Sequence, residues 1–248
     1  MAELRALLDA CKQGRTCDVQ LCLDRGTDVD GTADALGRTP FWIACRFGHL
    51  DAARLLLARG ADVDRADAEG EWTPLYVACE SGHIDLVRLC IDCGADVNRL
   101  DEAGSPPLFI ACQEGATDVV RLCLDCGAVV DHANSKGATP LFIASHEGHV
   151  AAALLCLERG AEVDRASLHG TTPFSIACEY GGRAEMLSVP CPLQTSADIL
   201  QTGHGTAASA TWIFRGERGG AHSVEREEAP ISWRERRRPF RGERGGAR

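Results

Sequence analysis

Prolines recur along this chain at Pro40, Pro74, Pro107, Pro140 and Pro173, with matching glycines at Gly26, Gly60, Gly94, Gly127 and Gly160. The proline spacing is 34 and then 33 three times over, and each of the first four prolines precedes its glycine by 20 residues. A register kept this closely is an internal repeat, and it constrains the fold more than any other feature. Units of this length stack on one another, so the 248 residues are expected to build one elongated array in place of one or two ordinary domains.

Each part of the unit has a physical reason. Thr39, Thr73, Thr139 and Thr172 stand at helix N-cap positions, with Pro at the first helical position, where its missing N–H costs nothing. Ala44-Cys45, Ala78-Cys79, Ala111-Cys112, Ala144-Ser145 and Ala177-Cys178 follow, small enough for neighbouring helices to approach closely. Gly48, Gly82, Gly115, Gly148 and Gly181 are placed to end that helix in the left-handed conformation. A second helix, such as Asp85–Ile91 or Asp118–Leu124, is apolar nearly all round apart from one Arg, which suits a helix with neighbours on several sides. Asx residues and a closing Gly70, Gly104 or Gly137 then predict a tight polar finger.

Residues 1–32 keep the register without the Thr-Pro start, as a capping unit does. Regular units span residues 33–65, 66–99, 100–132 and 133–165, and residues 166–189 form a unit truncated after its first helix by Pro190 and Pro192. Residues 190–248 share nothing with the repeat. They duplicate Phe214–Ala221 as Phe240–Ala247 in Arg- and Gly-rich sequence that cannot bury enough apolar area to fold alone, so disorder is expected.

Thr-Pro-Leu-Phe-Ile-Ala at residues 139–144, the recurrent Gly-His and the Leu-x-x-x-Gly-Ala-x-Val phrase at 33-residue spacing resemble the ankyrin repeat over residues 1–189. The resemblance implies an all-α solenoid of stacked helix-turn-helix units with β-turn fingers, and a non-enzymatic module for binding another protein. The family's His after Thr-Pro-Leu is replaced by Trp42, Tyr76, Phe109, Phe142 and Ser175, read as aromatic filling of the stack.

The resemblance also implies which positions touch a partner: the finger tips and the two residues after the small pair. In this chain the second set is Arg46 and Phe47, Glu80 and Ser81, Gln113 and Glu114, His146 and Glu147, and Glu179 and Tyr180. Their types change from unit to unit while the framework does not. Trp72 joins them, because the one extra residue between Gly70 and Pro74 places it beside a finger tip with no counterpart in later units. Two readings of Trp72 stand open: a binding hot spot, or a ring folded back over Tyr76 or Trp42 that plugs the groove.

No catalytic residue, cofactor or metal site is expected. Cys90-x-x-Cys93 and Cys123-x-x-Cys126 have the look of a zinc site, but in register Cys90 and Cys123 fall in a core column while Cys93 and Cys126 share a column with Arg25, Arg59 and Arg159. His146 and His149 are three apart with Gly148 between, which does not match a zinc-peptidase helix. Asp51, Asp85 and Asp118 favour helix macrodipoles.

Charge bears on partners. Residues 1–189 carry 16 Lys or Arg against 29 Asp or Glu, or −13, and residues 190–248 carry 10 Arg against 7 acids, or +3. An acidic body is ill-suited to a phosphate backbone, which leaves the tail as the one candidate for weak RNA contact. The tail could alternatively cover the truncated unit or the groove and so regulate binding. Charged residues among Met1–Gly14, the absence of a long apolar run and 13 cysteines predict an intracellular, cytoplasmic chain without a membrane partner, with a nuclear place left open. A monomer is expected.

Overall fold

A computed structural model describes residues 2–32 and 36–180, with the side chains of residues 178–180 left out. The expected disorder of residues 190–248, the breakdown of the truncated unit after Gly181 and the tail's suggested roles lie outside the described residues. Among those described there are α-helices and no strand: α1 (Ala2–Gln13), α2 (Thr16–Asp24), α3 (Pro40–Phe47), α4 (Leu50–Ala58), α5 (Pro74–Ser81), α6 (Ile84–Asp92), α7 (Pro107–Glu114), α8 (Thr117–Asp125), α9 (Pro140–Glu147), α10 (Val150–Glu158) and α11 (Pro173–Tyr180).

The capping chemistry is local and repeated. The hydroxyls of Thr39, Thr73 and Thr139 accept the N–H groups of Trp42, Tyr76 and Phe142 at 3.1 Å, and that of Thr172 accepts Ser175 N–H at 3.2 Å. Pro106 replaces the threonine before α7, which begins without a side-chain cap. Gly48 closes α3 with φ of 81°, and a Cβ there would lie 2.7 Å from the His83 ring. Both the left-handed backbone and the next unit therefore demand glycine.

First helices α1, α3, α5, α7, α9 and α11 stack in chain order, and second helices α2, α4, α6, α8 and α10 stack beside them. Phe41, Leu75, Leu108 and Leu141 occupy one sealed column, and Leu56, Cys90, Cys123 and Cys156 another. The alanines of the small pair are fully buried at Ala44, Ala78, Ala111 and Ala144, which lets the first helices pack more extensively than the second. Burial of this kind, at about 25 cal/mol per Å² of apolar area, is available to a unit only from its neighbours.

Polar ladders accompany the apolar one. Carboxylates Asp30, Asp64 and Asp131 accept the N–H groups of Asp62, Asp96 and Glu162 in the following unit, and Asn98 accepts that of Val129. Finger backbones are linked as well: Ala68 N–H donates to Leu36 O, Ser135 to Ala103 O and Leu168 to Lys136 O, at 2.8, 2.9 and 3.0 Å.

The 34-residue step shifts one rung of this ladder. Register would pair Glu102 N–H with Glu69 O, yet it donates to Gly70 O at 3.0 Å. Trp72 pairs its backbone with Asp67 as Ser105 does with Asp101 and Ala138 with Asn134. So Trp72 does have backbone counterparts, contrary to the sequence expectation; Gly70 takes the acceptor place of Ala103 and Lys136, Glu71 takes the left-handed place of Gly104 and Gly137, and the residue without a counterpart is Glu69. Glu71 is exposed and has φ of 55°, alone in the left-handed region among described non-glycine residues. Such a backbone costs a side-chain-bearing residue about 1–2 kcal/mol, partly offset for glycine by its greater unfolded-state freedom. Glu71→Gly is accordingly expected to raise the stability by about 0.5–1 kcal/mol in urea unfolding.

Candidate partner-binding face

Along the row of first helices, the last turns of α1, α3 and α7 are each held by a histidine from the following unit. His49 Nε2 meets Lys12 O at 3.0 Å and His149 Nε2 meets Gln113 O at 3.1 Å. His83 bonds the Arg46 backbone in the same way, and burial lowers its pKa against the opposing pull of that bond. Each histidine thus fixes the backbone of a residue that follows a small pair.

On this row Arg46, Glu80, Ser81, Gln113, Glu114, His146 and Glu147 are half-buried, and Phe47 is 39% exposed. Arg46 forms an ion pair with Glu80, and Ser81 Oγ donates to Arg46 O at 3.2 Å. Gln113 Nε2 donates to Glu114 at 3.4 Å, and His146 Nδ1 lies 3.1 Å from Glu147. The last pair turn toward each other, whereas His149 is engaged with the Gln113 carbonyl. Glu179 and Tyr180 lie on α11, and their side chains are outside the described part of the chain.

Sequence reasoning missed two members of the same face. Lys12 stands in register with Arg46 and places its Nζ 5.6 Å from the centre of the Phe47 ring. The signal for it was the shared register of Cys11 and Cys45, obscured by the missing Thr-Pro start. Arg38 lies over Trp42 at 5.5 Å.

Trp72 is braced. Its ring stacks on Tyr76 at 5.8 Å with 9° between planes, and its carbonyl accepts Trp42 Nε1–H at 2.9 Å. The Trp72 indole and the Tyr76 hydroxyl both donate to Asp101, whose pKa is nevertheless raised, because burial outweighs these bonds. Burial, followed by the Asp101 charge, likewise holds Tyr76 well above the usual phenol range. With these contacts Trp72 is half-buried. Trp72→Ala is expected to lower stability by about 1–2 kcal/mol in urea unfolding, from lost apolar burial and stacking.

The cysteines divide by column. Cys90 and Cys123 are buried and face Cys45 and Cys79 with 3.9 Å between sulfurs, and Cys112 faces Cys156 at 3.7 Å. Cys93 and Cys126 are exposed at helix C-termini. The four sulfurs of the two Cys-x-x-Cys phrases therefore point into different surroundings and do not converge. Burial raises the Cys45 and Cys79 thiols well above their ordinary value and pushes Cys11 up to about 12; contact with Cys156, then burial, raises Cys112. Only thiolates react readily. Brief labelling of native protein with a maleimide, read by peptide mass spectrometry, is expected to modify Cys17, Cys93 and Cys126 and to spare Cys11, Cys45, Cys79 and Cys112 until denaturant is added.

No helix among the described residues is long and apolar enough to cross a membrane. Among known families, a model described as ankyrin repeats in three copies matches the chain over residues 3–67, 64–134 and 108–189. No curated protein matches it as a relative.

Proposed function

This chain belongs to the ankyrin-repeat family, whose repeats generally serve as protein–protein interaction modules, and from that premise we propose that it binds a partner protein through the finger and first-helix face without catalysing a reaction. The observation that carries the reading is a contrast along one row. Framework residues such as Ala44, Ala78, Ala111 and Ala144 repeat and are sealed, whereas the adjoining Arg46, Glu80, Gln113 and His146 change type and keep access to solvent. A surface whose backbone is fixed by histidine bonds at Arg46 and Gln113 and whose side chains vary is preorganised for recognition.

The proposed contact set is Arg46, Phe47, Trp72, Glu80, Ser81, Gln113, Glu114, His146, Glu147, Glu179 and Tyr180, presented by a monomer as an adaptor or scaffold within the cell. The described thiols are free and most are buried, which suits a reducing compartment. Trp72 would contribute through the edge that its stacking leaves uncovered.

For a partner captured by the full chain, Glu80→Lys, Glu114→Lys and Glu147→Lys together are expected to weaken binding at least tenfold in a titration while leaving the helical circular dichroism intact. A partner bound as tightly by the triple variant as by the parent removes this face from the function.

A further inference from the structure

Charge along the face is ordered, and the order follows from the stacking sequence of the first helices. Lys12, Arg38 and Arg46 come from the capping unit and the first regular unit, where exposed Phe47 lies under Lys12. Glu69, Glu71, Glu80, Glu102 and Glu114 come from the next two units, and Glu69, Glu71 and Glu102 are exposed on the fingers. The sign changes at the Arg46–Glu80 ion pair. In the unit after these, Lys136 and Glu147 carry opposite charges.

We infer that the face selects a partner segment of matching polarity: an extended peptide with an acidic and an apolar residue over the Lys12–Phe47 end and Lys or Arg over the Glu102–Glu114 end. The inference rests on the binding face proposed above and adds the chemistry of its occupant. Stacked helices lie about 8–10 Å apart, so two unit steps from Arg46 to Glu114 cover about 16–20 Å. An extended chain rises about 3.3 Å per residue, which separates the partner's acidic and basic residues by about five or six positions. That distance exceeds the screening length of about 8 Å at physiological salt, so each end of the face reads its own half of the peptide. A uniformly basic segment would meet Lys12, Arg38 and Arg46, and a uniformly acidic one would meet the five glutamates. Both are disfavoured by like-charge contact.

The test uses a random 12-residue peptide library displayed on phage and panned against the full chain. Selected peptides are expected to set Asp or Glu beside Leu, Ile or Phe, with Arg or Lys five or six residues away. Their synthetic versions should bind at least tenfold more weakly to Lys12→Glu/Arg46→Glu and to Glu102→Lys/Glu114→Lys. The fourfold variant combining both changes should instead select peptides whose charges have traded ends, a gain that misfolding cannot produce. Peptides that lose binding on Phe47→Ala or Glu80→Lys but show no charge order overturn this inference and leave the binding face standing. If all selected peptides are indifferent to every one of these changes, the face itself is refuted.

Discussion

Each first helix is sealed because another first helix lies against it, and nearly everything else in the described chain depends on that contact. Ala44 and Ala78 are fully buried where α3 and α5 pack together, and their small side chains leave those helices room to approach closely. Helices of eight or nine residues are too short to persist alone in water. Stacking supplies what they lack, and the array behaves as a chain of interfaces more than as a single core.

The same contact fixes the polar groups. His83 can sit against Gly48 only because the left-handed turn there has no Cβ, and from that seat it bonds the Arg46 backbone. Where the histidine is missing, as at Ala116, the matching Gly82 has open space beside it. Framework and proposed binding face are therefore coupled: the residues that hold units together also set the backbone from which variable side chains project. A binding face built this way, as proposed, would carry specificity in side-chain type and charge order.

The buried sulfurs belong to the same economy of space. Cys45, Cys79 and Cys112 are small and apolar enough to follow alanine at the tightest part of the stack, and each meets a cysteine of the next unit's second helix. For Cys45 and Cys79 the raised pKa values follow first from exclusion of water, which favours the neutral thiol, and for Cys112 from contact with Cys156 and then from burial. Chemistry that looks available in the sequence is thus withdrawn by packing, while Cys93 and Cys126 remain at the surface.

Much of this was legible from the sequence, because caps, small pairs and glycines act within a few residues and repeat with one period. Proline positions alone locate the starts of α3, α5, α7, α9 and α11. The repeat by itself also separates Cys90 and Cys123 from Cys93 and Cys126. What the sequence could not supply was the consequence of contacts between units. Counting residues made Trp72 the unmatched one, but the hydrogen bonds of Trp72 to Asp67 and of Glu102 to Gly70 assign that place to Glu69, since register in a turn is set by pairing and not by position. Whether Trp72 faces solvent or folds over Tyr76 depended on Asp101, some thirty positions away in the next finger. The ion pair of Arg46 with Glu80 and the place of Lys12 over Phe47 likewise arise only when one unit is laid on the next. Local chemistry, repeated, determined the units; the distances between units, which no single stretch of sequence contains, decided how their side chains meet.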